Sequence, residues 1–330
     1  MKLLYITSGG PSYAELDPNL IQAFRRLEKK LKDFHFQFYR PRVEPIATLF
    51  NRVQSFRPDV ILSLRGAISG ERVTQLRKMG IPVGLFVVDD PYLLRYHSRQ
   101  VPPYTFMVTQ ESSCLSFYRK RKKPCIHLPL GVNEATYHPE RVPEKYQSDI
   151  CFVGSALPAR LHTFDQMVDF LRKKKFVIVG RWWERLKHYK QLNHGIINQT
   201  IPSSETAKYY NGAKIVLNIH RTKNDVKGNP FGIPAFTPNN RTFDIAACRS
   251  FQLVSQRKEL GRYYRLGEEV IAFKGIKDLK QKIEYYLAHD KERERIAARA
   301  YQRTLKDHTY EARLRSLIQV LQVRMNKQTR

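Results

Sequence analysis

One rhythm, met twice, constrains this chain more than anything else: strand-length apolar runs alternate with longer stretches of helical periodicity. In the first half the runs fall at 2–7, 35–39, 60–64, 83–87, 106–109 and 125–128. Between the first two, Leu20, Ile21, Phe24, Leu27, Leu31 and Phe34 repeat at helical spacing over 19–34, behind an Asp17-Pro18 start. Short apolar runs separated by amphipathic helices belong to parallel sheets covered on both faces. The rhythm halts at Leu128-Pro129-Leu130-Gly131-Val132, and the proline-, glutamate- and tyrosine-rich stretch that follows reads as a linker. It resumes with runs at 149–153, 176–179, 215–219, 251–254 and 270–272, and ends in helical periodicity from 279 to about 325. The expected fold is α/β, with two Rossmann-like doubly wound parallel-sheet domains in tandem. Their expected bounds are 1–130 and 149–305, with a linker at 131–148 and a C-terminal helix over 306–330.

Charge narrows the function. The 330 residues carry a formal +28, which favours anionic company: a phosphorylated substrate, an acidic surface or nucleic acid. Residues 1–148 hold +10 and the remainder +18, so this is not a neutral enzyme with a basic tail. Nucleic acid is not expected as a partner, because no reading motif accompanies the charge. Cys114, Cys125, Cys151 and Cys248 form no CxxC pair, and the ten histidines show no metal-ligand spacing, so no metal site is expected. No apolar run reaches the ~18 residues of a membrane helix, and the first residues read as a strand rather than a signal peptide. A cytoplasmic protein, at most held to a surface by charge, is the resulting expectation. P-loop, GxSxG and HxE with PCxxC patterns are absent, which removes kinase-type, α/β-hydrolase and zinc-deaminase chemistry.

In open parallel sheets, ligands bind beyond the carboxyl ends of the strands. The candidates all stand at such places. Thr7-Ser8-Gly9-Gly10-Pro11 follows the first strand, and Gly9 and Gly10 either admit a ligand to the backbone or form an ordinary turn. Asp89 and Asp90 end another strand. Asp89 is the expected catalytic carboxylate, and Asp90 either shares that role or caps a helix opened by Pro91. In the second half, Gly154 leads into a helix carrying Arg160, where backbone N–H groups and a cation suit phosphate. Within 238–248, Asn239 or Asn240 caps a helix whose first turns hold Arg241, Thr242 and Asp244. Arg241 then suits a diphosphate and Asp244 a ribose diol, or the two form a plain i,i+3 pair. Asn218 and Arg221 end a buried strand, and the loop 222–240 that follows suits a lid or simple disorder. Arg181 precedes Trp182-Trp183, of which one indole is expected in the core, and the run 119–123 reads as a solvated helix end or a polyanion grip.

The order of these segments resembles the CgeB-like spore maturation proteins, a group of predicted GT-B glycosyltransferases with a family 1/4-like C-terminal domain. The likeness spans most of the chain. It rests on Val88-Asp89-Asp90-Pro91, on Leu128-Pro129-Leu130-Gly131-Val132 with Tyr137-His138-Pro139, and on Phe152-Val153-Gly154 with Arg160. It continues through Val179-Gly180-Arg181-Trp182-Trp183, Lys214-Ile215-Val216-Leu217-Asn218 and the segment 240–248. The resemblance implies two domains facing a cleft, and a final helix crossing back to the first. It also implies a nucleotide-sugar donor, UDP-linked above others, held by the second domain through Gly154, Arg160, Arg241 and Asp244. A glycan, protein or envelope acceptor would lie on the first domain. Transfer in this fold needs no metal and no cofactor, and the family link points to a mother-cell or spore-surface setting.

Two departures from the family pattern stand out. Asp244 occupies the second position of the family's paired-glutamate pattern, but Phe236 stands where the first glutamate belongs, and Arg249 where a glycine usually follows the helix cysteine. These keep a second expectation in view: a catalytically degenerate GT-B protein acting as a basic module on an anionic polymer or surface.

Overall fold

A computed structural model describes residues 1–10 and 15–328, with side chains described as far as Arg324; Pro11 lies outside them. Six strands form the first sheet: β1 (Lys2–Ile6), β2 (His35–Tyr39), β3 (Val60–Leu64), β4 (Val83–Val87), β5 (Phe106–Thr109) and β6 (Cys125–His127). They are all parallel in the order β2-β1-β3-β4-β5-β6. The second sheet holds β7 (Ser148–Val153), β8 (Phe176–Val179), β9 (Ile196–Ile197), β10 (Ala213–Asn218), β11 (Gln252–Ser255) and β12 (Ile271–Phe273). Its order is β12-β11-β10-β7-β8-β9, again parallel. Both are doubly wound. The strand β9 has only two residues, too few to display any pattern in the sequence.

The chain divides into two compact units. Unit 1 takes Met1–Leu130, Val226–Ala235 and Tyr310–Arg330; unit 2 takes Gly131–Asp225 and Phe236–Thr309.

In unit 1, apolar layers cover both faces of the sheet. On one face, the helix Leu16–Lys30 buries Leu20, Ile21, Ala23, Phe24 and Leu27, and stops where Leu31 turns extended. The helix Tyr310–Gln328 adds Leu314, Leu317, Ile318 and Leu321 to the same cluster, and Lys30 pairs with Glu311 at 2.7 Å. Each such buried leucine contributes roughly 1.5–3 kcal/mol, so packing rather than the exposed ion pair holds that helix. Segment 226–235 also rests here. The Arg95 N–H donates to the Gly228 carbonyl at 2.9 Å, and the Phe231 ring lies 4.9 Å from Phe117. A Cβ at Gly228 would sit 2.1 Å from the Tyr92 carbonyl oxygen, so only glycine fits there. The loop 222–240, for which a lid and simple disorder were the two expectations, is thus divided between the units.

In unit 2, Val216 pairs with both Cys151 and Gln252, which sets the carboxyl ends of β7, β10 and β11 side by side. The stretch expected as a linker is built into this unit. Val132 is fully buried and donates its N–H to the His308 carbonyl at 3.0 Å, while Tyr146 meets Tyr209 edge-on at 4.9 Å. Its prolines remove helical pattern without removing packing.

Candidate functional site

The carboxyl rim of the second sheet gathers cations over one glycine. A Cβ on Gly154 would meet Arg241 Nη2 at 2.9 Å, Arg160 Nη1 at 3.0 Å and the tip of the Phe152 ring at 3.2 Å. Both guanidinium carbons stand over that ring, at 5.3 Å for Arg160 and 5.7 Å for Arg241. The loop is fixed from behind: the Trp183 indole N–H donates to the Gly154 carbonyl at 3.0 Å, and a Cβ on Gly180 would strike that same oxygen at 2.2 Å. Trp183 is therefore the buried indole of the pair, and Trp182 is the exposed one, 44% accessible.

The two arginines differ in what already holds them. Arg160 is 4% exposed, and its Nε and Nη2 donate to the Ile219 carbonyl at 3.1 and 2.9 Å while Nη1 donates to the Ser155 carbonyl at 2.9 Å. It braces the turn after β7 against the end of β10. Arg241 is half-buried, and among the described residues its guanidinium makes no hydrogen bond or ion pair. The plain i,i+3 pair with Asp244 is not formed. Two guanidinium groups this close concentrate positive charge over one glycine at the end of the sheet.

Arg241 belongs to the helix Asn240–Ala247, whose start is strongly determined. The Asn239 side chain accepts from the Thr242 N–H at 3.1 Å, a standard N-cap. Asn218 then clamps the cap: its amide donates to Asn239 Oδ1 at 3.2 Å, Thr242 Oγ1 at 2.9 Å and Gln252 Oε1 at 3.3 Å, and accepts from Asn239 at 3.0 Å. Asn218 and Thr242 are both wholly buried, so they position the helix end rather than reach a ligand. Asp244 is 6% exposed and accepts from the exposed Asn240 amide at 3.1 Å. Beyond the helix, Arg249 N–H donates to Ala246 and Ser250 N–H to Ile245, with Arg249 left-handed at φ +54°. This is a Schellman end, a position where glycine avoids the cost of a left-handed backbone.

One expectation needs correcting. The amino end of the helix Pro158–Asp165 was expected to hold phosphate, but a carboxylate of the chain sits there: Asp225 accepts from the Ala159 N–H at 2.9 Å and the Thr222 N–H at 2.6 Å. The anion preference of that helix end is satisfied internally.

His220 was missed as a site residue, although its place at a strand end was visible. It is 4% exposed, and its Nδ1 lies 3.0 Å from the Ser255 carbonyl and 2.9 Å from Ser255 Oγ. A carbonyl can only accept, so Nδ1 carries the proton and Nε2 presents a lone pair. Nε2 is buried without a hydrogen-bond partner among the described residues. Burial first, then the Arg257, Arg241 and Arg160 charges, hold this imidazole well below the ordinary histidine value.

The rim of the first sheet is different in kind. Asp90 is not a helix cap, because the next helix begins only at Leu94. Its carboxylate is 1% exposed and receives the Thr109 hydroxyl at 2.7 Å, the Tyr118 hydroxyl at 2.8 Å and the His97 Nδ1 at 2.7 Å. Burial and Asp90 together push the Tyr118 hydroxyl far up, and burial with Asp90 raises the Cys125 thiol to about 12. Asp89 is half-buried just past β4, in a left-handed conformation at φ +68°. Gly9, left-handed at φ +63°, and Gly10 follow β1; Asp17 ties their turn by accepting from Ser8 N–H and its hydroxyl. Unit 1 thus contains Gly9, Gly10 and Asp89, and unit 2 contains Gly154, Arg160, Arg181, Asn218, Arg221, Asn240, Arg241, Thr242 and Asp244.

Of these, Arg181 is not gathered over Gly154 but lies exposed against the Trp182 ring at 5.1 Å. The Arg221 carbonyl accepts from Arg257 at 2.5 Å. In the basic run, Arg121 stacks on Phe117 at 3.5 Å and Lys123 donates to the Pro102 and Tyr104 carbonyls, so it is partly structural. Among the described residues no three His, Cys, Asp or Glu side chains gather as a metal site, and no helix is long and apolar enough to cross a membrane.

Comparison with known proteins agrees with this architecture. Residues 160–319 match a family described as glycosyl transferase-like. Over 318 residues the chain is 27% identical to spore protein CgeB of Bacillus subtilis (strain 168), covering 94% of this chain and 96% of that one. Among solved structures it is similar to Anabaena HepE in complex with UDP, with a TM-score of 0.65 at 10% identity, over 98% of this chain and 100% of that one. Sucrose-phosphate synthase from Thermosynechococcus elongatus gives 0.63 at 12%, over 99% and 100%, and a glycosyltransferase from Rickettsia africae 0.62 at 11%, over 97% of each. At such identities the structural likeness speaks for the fold alone. The chain is thus similar to CgeB along nearly its whole length, has a GT-B fold, and matches a glycosyl transferase-like family over its second half.

Proposed function

We propose that this protein transfers a sugar from a nucleoside diphosphate donor, UDP-linked above others, to a hydroxyl of a glycan, protein or envelope acceptor, and does so without a metal. One observation carries the reading: the guanidinium groups of Arg160 and Arg241 converge on Gly154 beside a capped helix N-terminus. As the bond between the anomeric carbon and the phosphate oxygen breaks, the leaving diphosphate gains a negative charge. Preorganised cations and a helix N-terminus stabilise that charge where it develops, with little reorganisation. Arg241 meets the diphosphate directly, Arg160 fixes the loop and adds its charge, and Asp244 accepts from the ribose diol. These cations do the work a divalent ion does elsewhere.

In unit 1, Asp89 is assigned to the acceptor hydroxyl; its left-handed backbone at a strand end is the kind of strain that accumulates at working sites. The UDP bound in HepE favours a uridine donor, and the likeness to a Bacillus subtilis spore protein favours a spore-surface acceptor. Calorimetric titration with UDP, UDP-glucose, UDP-N-acetylglucosamine and TDP-glucose in the presence of EDTA tests the reading. UDP and at least one UDP-sugar bind if it holds. A flat response to all four removes it, and binding that appears only when a divalent ion is restored removes the metal-independent part.

A further inference from the structure

Unit 2 buries an imidazole beside the cations assigned to the donor, and among the described residues nothing hydrogen-bonds its second nitrogen. His220 follows β10 directly. Its neighbour Ile219 supplies the carbonyl that holds Arg160, so the imidazole and that guanidinium are anchored to adjacent residues. Three elements turn charge toward it: Arg160 from the helix Pro158–Asp165, Arg241 from the helix Asn240–Ala247, and Arg257 just past β11. Ser255, at the end of β11, fixes Nδ1 through its carbonyl and hydroxyl, and its hydroxyl also accepts from the His220 N–H at 2.9 Å. That leaves Nε2, on the other edge of the ring, buried and without a partner. A buried nitrogen without a hydrogen bond is a standing cost to the fold, and such groups concentrate where a ligand completes them.

We propose that His220 donates a hydrogen bond from Nε2 to the donor's diphosphate, with a proton that the site takes up from solvent as the diphosphate binds. The inference rests on the nucleotide-sugar reading and adds a ligand to that site. Burial and the three guanidinium groups disfavour a further positive charge on the ring, so it is neutral and Nε2 holds a lone pair until a diphosphate binds. A lone pair facing a phosphate oxygen would repel it. An arriving diphosphate offsets the guanidinium charges and supplies an acceptor, so both the field and the local geometry reverse in favour of the imidazolium. Nδ1 keeps its bond to Ser255 throughout, because it carries a proton in both states. The added proton comes from solvent and resides on Nε2, and no bond of the donor changes in this step.

The test is calorimetric titration of UDP-glucose and UDP-N-acetylglucosamine, whose diphosphates have no group titrating near neutrality. Each titration is repeated at neutral pH in two non-phosphate buffers of low and high ionisation enthalpy. The wild-type protein should bind with a buffer-dependent heat that reports uptake of up to one proton. His220→Gln should bind with uptake near zero and an affinity lower by roughly 3–10-fold, as expected for one lost hydrogen bond. Equal wild-type heats in both buffers overturn the proposal without needing any variant, and unchanged uptake in His220→Gln overturns it as well. If neither nucleotide sugar binds the wild-type protein, the nucleotide-sugar reading itself falls. Binding without proton uptake removes His220 alone.

Discussion

The rims of the two sheets are built from the same strand-and-helix units, yet they handle charge in opposite ways. At the first rim the buried Asp90 carboxylate is closed off by Thr109, Tyr118 and His97, all within 2.8 Å. At the second, two guanidinium groups meet over Gly154, one of them with no hydrogen bond or ion pair among the described residues, beside an imidazole whose Nε2 has no hydrogen-bond partner among them. A charge that the fold satisfies itself reports on stability. A charge left open reports on a ligand. Mutation should therefore separate the rims cleanly.

The largest effect belongs to the closed rim. Asp90→Ala strands three buried polar groups, and urea denaturation should show a loss of ~3–5 kcal/mol, the usual cost of removing one partner from a buried charge network. A loss within experimental scatter would mean that the two rims are not different in kind. Arg160→Ala blurs the comparison in an informative way, because that side chain serves both purposes. It should lower unfolding free energy by ~1–3 kcal/mol, through the buried Ile219 carbonyl left without its two guanidinium donors, and also weaken UDP.

Acid sharpens the contrast further. His220 is held below the ordinary 6.5 in the folded protein, so the unfolded chain binds its proton more readily. Its contribution is fully present above that value and is lost as pH falls beneath it, by at most ~1.4 kcal/mol per pH unit for one proton. The stability gap between wild type and His220→Gln should narrow on acidification; a constant gap contradicts the assignment. The smallest effect lies at the far end of the helix that carries Arg241. Arg249→Gly relieves a left-handed φ of +54° and should raise the thermal midpoint, with a gain of about 1 kcal/mol or less. Lower stability would mean that the Arg249 side chain holds something its backbone conformation does not reveal.

Much of this was legible in the sequence, for identifiable reasons. Buried parallel strands are continuous apolar runs, so β3, β4 and β5 fall where Val60, Val83 and Phe106 open such runs. Strands whose first or last pair is polar shifted by a residue or two, as at Ala213 and Ser255. Gly154, Arg160 and Arg241 were readable as rim residues because strand ends and helix starts leave local marks. What stayed hidden depends on long-range pairing. Asp225 reaches Ala159, Asp90 collects Thr109 and Tyr118, and Ser255 orients His220, each across a separation no local pattern reports. The division of the 222–240 loop between units was invisible for the same reason, since glycine and proline announce a turn but not its destination.

The central claim is that the open charge at the second rim exists to hold a diphosphate. Titration of UDP into the wild-type protein and into Arg241→Ala, with the urea midpoint of each recorded alongside, tests it most directly. Affinity for UDP should fall by roughly 10–100-fold in the variant, the worth of a charge-assisted hydrogen bond, with the midpoint essentially unmoved. Equal affinity for UDP in the two proteins would contradict it.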